Sequence, residues 1–194
     1  MNFLAHIYLS FGNDEITIGN FIADSIRGNK FKHLPNRIQN GIMLHRAIDS
    51  FTDAHPTVRK STKRLHKSYG HYSGIIVDIF YDHYLAKNWN TYCETPLDQF
   101  VDNFYDLLED NYELLPVGVH RMMPYMIADN WIFNYSKMDG IAKVLQGMNR
   151  RTKNRSKMNF AIHDLEEYYE EFQTEFTSFF EELITFSRQK YISL

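Results

Sequence analysis

Residues 164–190 read DLEEYYEEFQTEFTSFFEELITFSRQK. Leu165, Tyr168, Phe172, Phe176, Phe179, Leu183 and Phe186 recur every three or four residues, and glutamates fill much of the opposite face. That is the period of a long helix with one apolar stripe, which packs on a core. Working back along the chain, Thr95-Pro96 opens a second helix: the threonine can cap, proline suits the first helical position and Asp98 complements the dipole. Its apolar face is Leu97, Phe100, Val101, Phe104, Leu107 and Leu108, and Pro116 marks its end. Further helices are expected at 2–10, 15–27, 36–50, 56–68, 73–88, 118–135 and 139–149, with Pro124 interrupting 118–135. Alternating strand patterns are hardly visible. The expected fold is all-α, one compact helical bundle over residues 1–194.

Composition agrees. A chain of 194 residues is the size of one domain or at most two small ones, and 44% apolar with 23% charged residues suits a soluble globular protein. Only 9 Gly and 5 Pro break the chain, which favours long helices over a turn-rich sandwich or barrel. No apolar run approaches the roughly 18 residues that span a bilayer. The start, MNFLAHIYLS, lacks a basic region and a small-residue cleavage site, so no secretory signal is read. A single cysteine, Cys93, excludes an internal disulfide and a thiolate zinc cage. The expected setting is cytoplasmic.

The net charge of -3 hides blocks. Residues 1–70 carry ten Lys/Arg against five Asp/Glu, and 71–115 carry one against nine. Residues 116–159 carry eight against two, and 160–194 two against eight. Two basic clusters stand out: Arg59, Lys60, Lys63, Arg64 and Lys67, then Arg150, Arg151, Lys153, Arg155 and Lys157. Each is read either as a docking face for an anionic partner or as a solvated face paired with the acidic blocks. Nucleic acid is disfavoured by the acidic total and by the lack of a base-reading motif.

The chemistry lies in the N-terminal half. Asp24 stands in the apolar run IGNFIADSI, where burying a carboxylate is costly unless a cation or donors hold it. In GIMLHRAIDSFTDAHP, His45 and Asp49 are one turn apart and share a helix face, with Arg46 adjacent and Asp53 and His55 at the end. In GIIVDIFYDHYLAKNW, Asp78 and Asp82 are again one turn apart, with His83 beside the second and Ile75, Ile76, Ile79 and Phe80 as the apolar face. Carboxylates and imidazoles without thiolate are ligands for Mn²⁺, Fe²⁺, Mg²⁺ or Zn²⁺ in a hydrolytic site. His33, His66, His71, His120 and His163 are read as surface or structural. The stretch 116–159 carries no chemistry beyond its basic cluster.

Four segments, MNFLAHIYLS, GNFIADSIRG, GIMLHRAIDSFTDAHP and GIIVDIFYDHYLAKNW, together resemble the successive motifs of the acyl carrier protein phosphodiesterases. The resemblance implies a helical fold distantly related to the HD-domain phosphohydrolases. It implies hydrolysis of the phosphodiester between a carrier serine and 4′-phosphopantetheine with a divalent cation, typically Mn²⁺. The HD signature runs His, His-Asp, Asp; here His6, Ala23-Asp24 and Asp82 reproduce the order with Ala23 in place of the second His. That favours one weakly held ion, with Asp24 and Asp82 leading the ligand candidates and His6 and Asp78 beside them. An alternative register uses His45 and Asp49 as ligands, with Asp82-His83 opposite. Asp49 or His83 is the expected proton acceptor, and Arg46 the expected partner of the phosphate charge. The acidic carrier would dock on Arg59, Lys60, Lys63, Arg64, Arg150, Arg151 and Arg155. The runner-up reading is an HD-like hydrolase of a nucleotide or other small phosphoester; a third is a helical adaptor without chemistry.

Overall fold

A computed structural model describes residues 1–194. It contains eleven α-helices and no strand, so the all-α expectation holds. The helices are α1 (Phe3–Tyr8), α2 (Asp14–Ile22), α3 (Asn36–Ala54), α4 (Pro56–Tyr69), α5 (Ser73–Lys87) and α6 (Leu97–Asp110). They continue with α7 (Val117–Ala128), α8 (Trp131–Asn134), α9 (Met138–Arg151), α10 (Ala161–Glu167) and α11 (Tyr169–Ile192). No helix is long and apolar enough to cross a membrane.

One hydrophobic core joins these elements. Phe172, Phe176, Phe179 and Leu183 of the C-terminal stripe are fully buried, joined by Phe180, while Tyr168 and Phe186 stay half-buried. The single helix expected over 164–190 is two, parted at Tyr168. The parting lets each stripe reach its own partner: α10 lies on α9, whereas α11 lies across α3, α4 and α5. One residue of the glutamate face turns inward. Glu175 is buried and receives a bidentate pair from Arg64 at 2.8 and 2.7 Å, Lys60 at 3.1 Å and the Ser61 hydroxyl. The positive block of 1–70 and the negative block of 160–194 are therefore partly joined inside the fold.

Helix α5 is buried on nearly every side, from Ile76 and Val77 through Ala86, with Ile75 and Asp78 the more open positions. It is the central helix, which is why its polar residues Asp82 and His83 must find partners. Pro124 does not interrupt its helix. It lies on the exposed face of α7, where a freed carbonyl reaches water, and the break falls instead at Asn130 with φ 44°. Helix α2 also stops earlier than expected, at Ile22, and tightens into a 3₁₀ turn over Ala23–Ser25 that carries Asp24.

Helices α2 and α3 cross at backbone contact. A Cβ at Gly19 would sit 2.1 Å from the Ile38 carbonyl oxygen, and one at Gly41 would sit 2.3 Å from that of Ile16. Only hydrogen fits at either position, so the two backbones touch. This crossing sets the spacing of the site described next.

Candidate metal centre

Asn20 follows Gly19 on α2 and is fully buried. Its side-chain amide donates to the His6 carbonyl at 2.7 Å and to the Ser10 hydroxyl at 3.1 Å. The amide oxygen is thereby left to accept from Nδ1 of His6, at 2.8 Å. The main-chain carbonyl of the same residue accepts from Nδ1 of His45, also at 2.8 Å. Each imidazole is therefore protonated on Nδ1 and turns its Nε2 the other way, the arrangement by which an outer residue orients a metal-ligating histidine.

The two rings stack with centroids 3.9 Å apart, and both Nε2 atoms face carboxylates. Asp49 lies between them, with Oδ1 3.2 Å from His6 Nε2 and Oδ2 3.0 Å from His45 Nε2. Asp24 completes the group, its Oδ1 3.2 Å from His45 Nε2. His6 Nε2 is buried and makes no hydrogen bond. An uncommitted ring nitrogen aimed at a carboxylate is unusual in a structural core and ordinary in a ligand set. His6, His45 and Asp49 offer ligand atoms all within 4.8 Å of one another. They form a group that can hold a metal ion.

Electrostatics agree. Burial, with the neighbouring His45, holds His6 neutral, its pKa lowered to about 4. Burial also lowers His45, but Asp24 and Asp49 outweigh it and raise it to about 9. Burial lifts Asp49, yet the two imidazoles prevail and hold it well below the usual carboxylate range. Asp24 is lowered chiefly by its hydrogen bond with His45. Two carboxylates and two imidazoles, of which only His45 is cationic, are a site built around positive charge.

The structure thus brings together His6, Asp24, His45 and Asp49, members of both sequence registers. The remaining candidates lie elsewhere. Asp82 is buried beneath the start of α1 and accepts main-chain N–H bonds from Asn2, Leu4 and Ala5 at 3.4, 2.7 and 3.3 Å. Burial lifts its carboxyl to about 7. His83 bonds through Nδ1 to the Tyr135 carbonyl and through Nε2 to the Tyr169 hydroxyl. Asp78 lies 3.1 Å from the α-ammonium of Met1, which is also 3.7 Å from Asp49, so it borders the group through that cation. Arg46 donates to the carbonyls of Gly28 and Ile26 and lies over the Phe31 ring, 4.9 Å from its centroid. It fastens the loop after Asp24. His55 faces Glu182 at 3.3 Å. The role of Asn20 was not drawn from the sequence, although it stands in the same apolar run that drew attention to Asp24.

In the basic clusters, Lys60 and Arg64 are tied to Glu175, whereas Arg59, Lys63 and Lys67 remain exposed with no ion pair. Arg150, Arg151, Lys153, Arg155 and Lys157 are all exposed and also unpaired. Their loop is held by bonds among Asn149, Thr152, Asn154 and Ser156, with Lys153, Asn154 and Lys157 at positive φ.

No solved structure matches the chain. Among curated proteins it is 31% identical over 189 residues to a protein of Pectobacterium atrosepticum, covering 97% of this chain and 98% of that one. A protein of Photorhabdus laumondii is 32% identical over 181 residues, 93% of this chain and 91% of the other. A protein of Yersinia enterocolitica is 30% identical over 193 residues, 99% and 100%. All three are named acyl carrier protein phosphodiesterase. The family model of that description matches residues 1–183. The chain belongs to the acyl carrier protein phosphodiesterase family.

Proposed function

We propose that this protein is a metal-dependent phosphodiesterase that hydrolyses holo-acyl carrier protein to the apo-carrier and free 4′-phosphopantetheine. The observation that carries the reading is the convergence of the two Nε2 atoms on Asp49 and Asp24, with both Nδ1 atoms anchored on Asn20. His6, His45, Asp49 and Asp24 would hold the ion, for which Mn²⁺ suits a set of imidazoles and carboxylates. When bound, such an ion lowers the pKa of a water and offsets charge on a phosphoryl oxygen.

The protein's own groups supply the rest. Asp49 lies between the two imidazoles, paired with His45 and facing the open Nε2 of His6. Asp24 is the open member, with 76% of its side chain exposed, so the phosphodiester approaches from its side. Only Oδ1 of Asp24 is engaged within the fold, which leaves Oδ2 to receive the proton of the attacking water. Water adds to phosphorus, the bond from phosphorus to the carrier serine oxygen breaks, and the proton taken up by Asp24 passes to that oxygen, releasing the serine hydroxyl and restoring the carboxylate. The exposed cations Arg59, Lys63, Arg150, Arg151 and Arg155 are suited to meet an acidic carrier, with Lys60 and Arg64 at the edge of the first cluster. We place the reaction in the cytoplasm, where the lone Cys93 thiol stays reduced.

The test is conversion of purified holo-carrier, followed by mass spectrometry, after EDTA treatment and then with Mn²⁺ restored. Loss of the prosthetic group only with metal is the expected result. An intact carrier under every divalent ion would refute the reading and turn attention to small phosphoesters.

A further inference from the structure

Beside Asp24 the surface opens into a cavity of about 530 Å³. One wall is the loop Ser25–Pro35, and the other is the segment Glu113–Pro116 that leads into α7. Arg27, Lys30 and His33 stand on the first wall, and Leu114 and Leu115 on the second, where Glu113 is the single acid. Arg27 and Lys30 are exposed and take part in no ion pair. The volume is that of a small-molecule site, and the lining combines apolar surface with net positive charge.

One cavity wall is fastened to the same helix that carries the candidate metal centre. Arg46 of α3 bonds the carbonyls of Ile26 and Gly28, and Gln39 of α3 bonds those of Lys32 and Leu34. Phe31 is buried beneath the loop, under the Arg46 guanidinium. The helix that presents His45 and Asp49 therefore also holds the loop in shape, and the cavity begins at the residue after Asp24.

We infer that this cavity receives the 4′-phosphopantetheine arm of the substrate, with Arg27 and Lys30 facing its phosphate and the leucines its methyl and methylene groups. The inference rests on the activity proposed above. The arm suits the cavity chemically: it is a flexible chain with one anionic end, an apolar gem-dimethyl carbon and two amides, and it enters phosphate-end towards Asp24. Arg46, expected from the sequence to meet the phosphate, instead shapes the loop that carries the cations which do.

The experiment measures binding apart from turnover. Free 4′-phosphopantetheine and unphosphorylated pantetheine are titrated calorimetrically into the wild type, an Arg27→Glu/Lys30→Glu double variant and Ser25→Trp. All three positions are exposed, so the fold is expected to survive, and circular dichroism confirms it. The double variant is expected to weaken the phosphorylated ligand at least tenfold and pantetheine much less. Ser25→Trp, which places a large ring on the cavity lining, is expected to weaken both. Kd values within twofold of wild type in both variants, or no binding to the wild type, would overturn the assignment. Conversion of holo-carrier by the wild type is scored in parallel. Conversion without any effect of these variants on binding or on KM refutes the cavity and leaves the activity standing. Failure of conversion with every metal refutes the activity itself.

Discussion

Asn20→Ala separates the two arms of the candidate metal centre. The side chain is fully buried and makes three hydrogen bonds, but only one of them, to His6 Nδ1, bears on a ligand. The His6 carbonyl keeps the Ser10 hydroxyl as a donor at 2.9 Å, so its loss is partly covered. His6 Nδ1–H is left buried without an acceptor, which together with the small void costs about 3 kcal/mol of stability. Removing an outer-sphere partner of a ligating histidine typically weakens metal binding about 10–100-fold, or about 1.4–2.8 kcal/mol. His45 is held by the main-chain carbonyl of Asn20, which alanine retains, so that arm stays in place. The expected result is weakened but measurable Mn²⁺ binding, read by titration of the apo-protein, with urea unfolding showing a native baseline. Unchanged affinity would refute the role given to Asn20. Complete loss, equal to that of His45→Ala, would refute the independence of the two arms.

Other consequences follow from the same geometry. Asp24→Ala should abolish turnover and leave the helical circular dichroism spectrum intact; a fully active variant would displace the site. In the metal-free protein His45 is raised above its unfolded value, so its stabilising charge is complete below about pH 6.5 and disappears as the pH climbs through about 9. Unfolding measured from pH 6 to 10 with chelator present should show that decline. Because the same proton must leave before a ligand bond forms, Mn²⁺ binding should release protons and tighten over that range. Glu175→Ala strands the buried end of Arg64 and should cost about 3 kcal/mol in urea unfolding while the chain's metal affinity is unchanged. If the exposed clusters dock the carrier, KM should rise with ionic strength between roughly 0.05 and 0.5 M, since the screening length shrinks from above 10 Å to a few ångströms.

The sequence carried those features whose signal is periodic or local. The stripe from Leu165 to Phe186 announces its helix because burial repeats with the turn, and His45 and Asp49 announce a shared face because they are one turn apart. Asp24 stands out as a charge in an apolar run. What stayed hidden depends on pairings between distant segments. Asp82 looks like His45 or Asp49 in composition, yet it lies beneath α1 and takes main-chain donors from residues about 80 positions away. Its neighbour His83 points to Tyr135 and Tyr169 for the same reason: this part of α5 is buried, and its polar groups are claimed by whichever element covers them. Glu175 belongs by pattern to the solvent face, and only the arrival of Arg64 from α4 brings it inside. Asn20 escaped because a neutral amide in an apolar run raises no charge to be explained, although it orders both histidines.

The contact between Gly19 and Gly41 has a consequence for the geometry of the candidate metal group. A methyl group at Gly19 must move from 2.1 Å to the ordinary 3.4 Å from the Ile38 oxygen, so α2 and α3 would part by more than an ångström. Asn20 travels with α2, while His45 and Asp49 travel with α3, so the parting would stretch the 2.8 Å bond that fixes the His45 ring. First-row ions and calcium differ by only a few tenths of an ångström in preferred ligand distance. If the group holds the divalent ion proposed above, alanine at either of these positions should shift the preference between small and large divalent ions. Inactivating mutations are to be sought there as readily as among the histidines and aspartates.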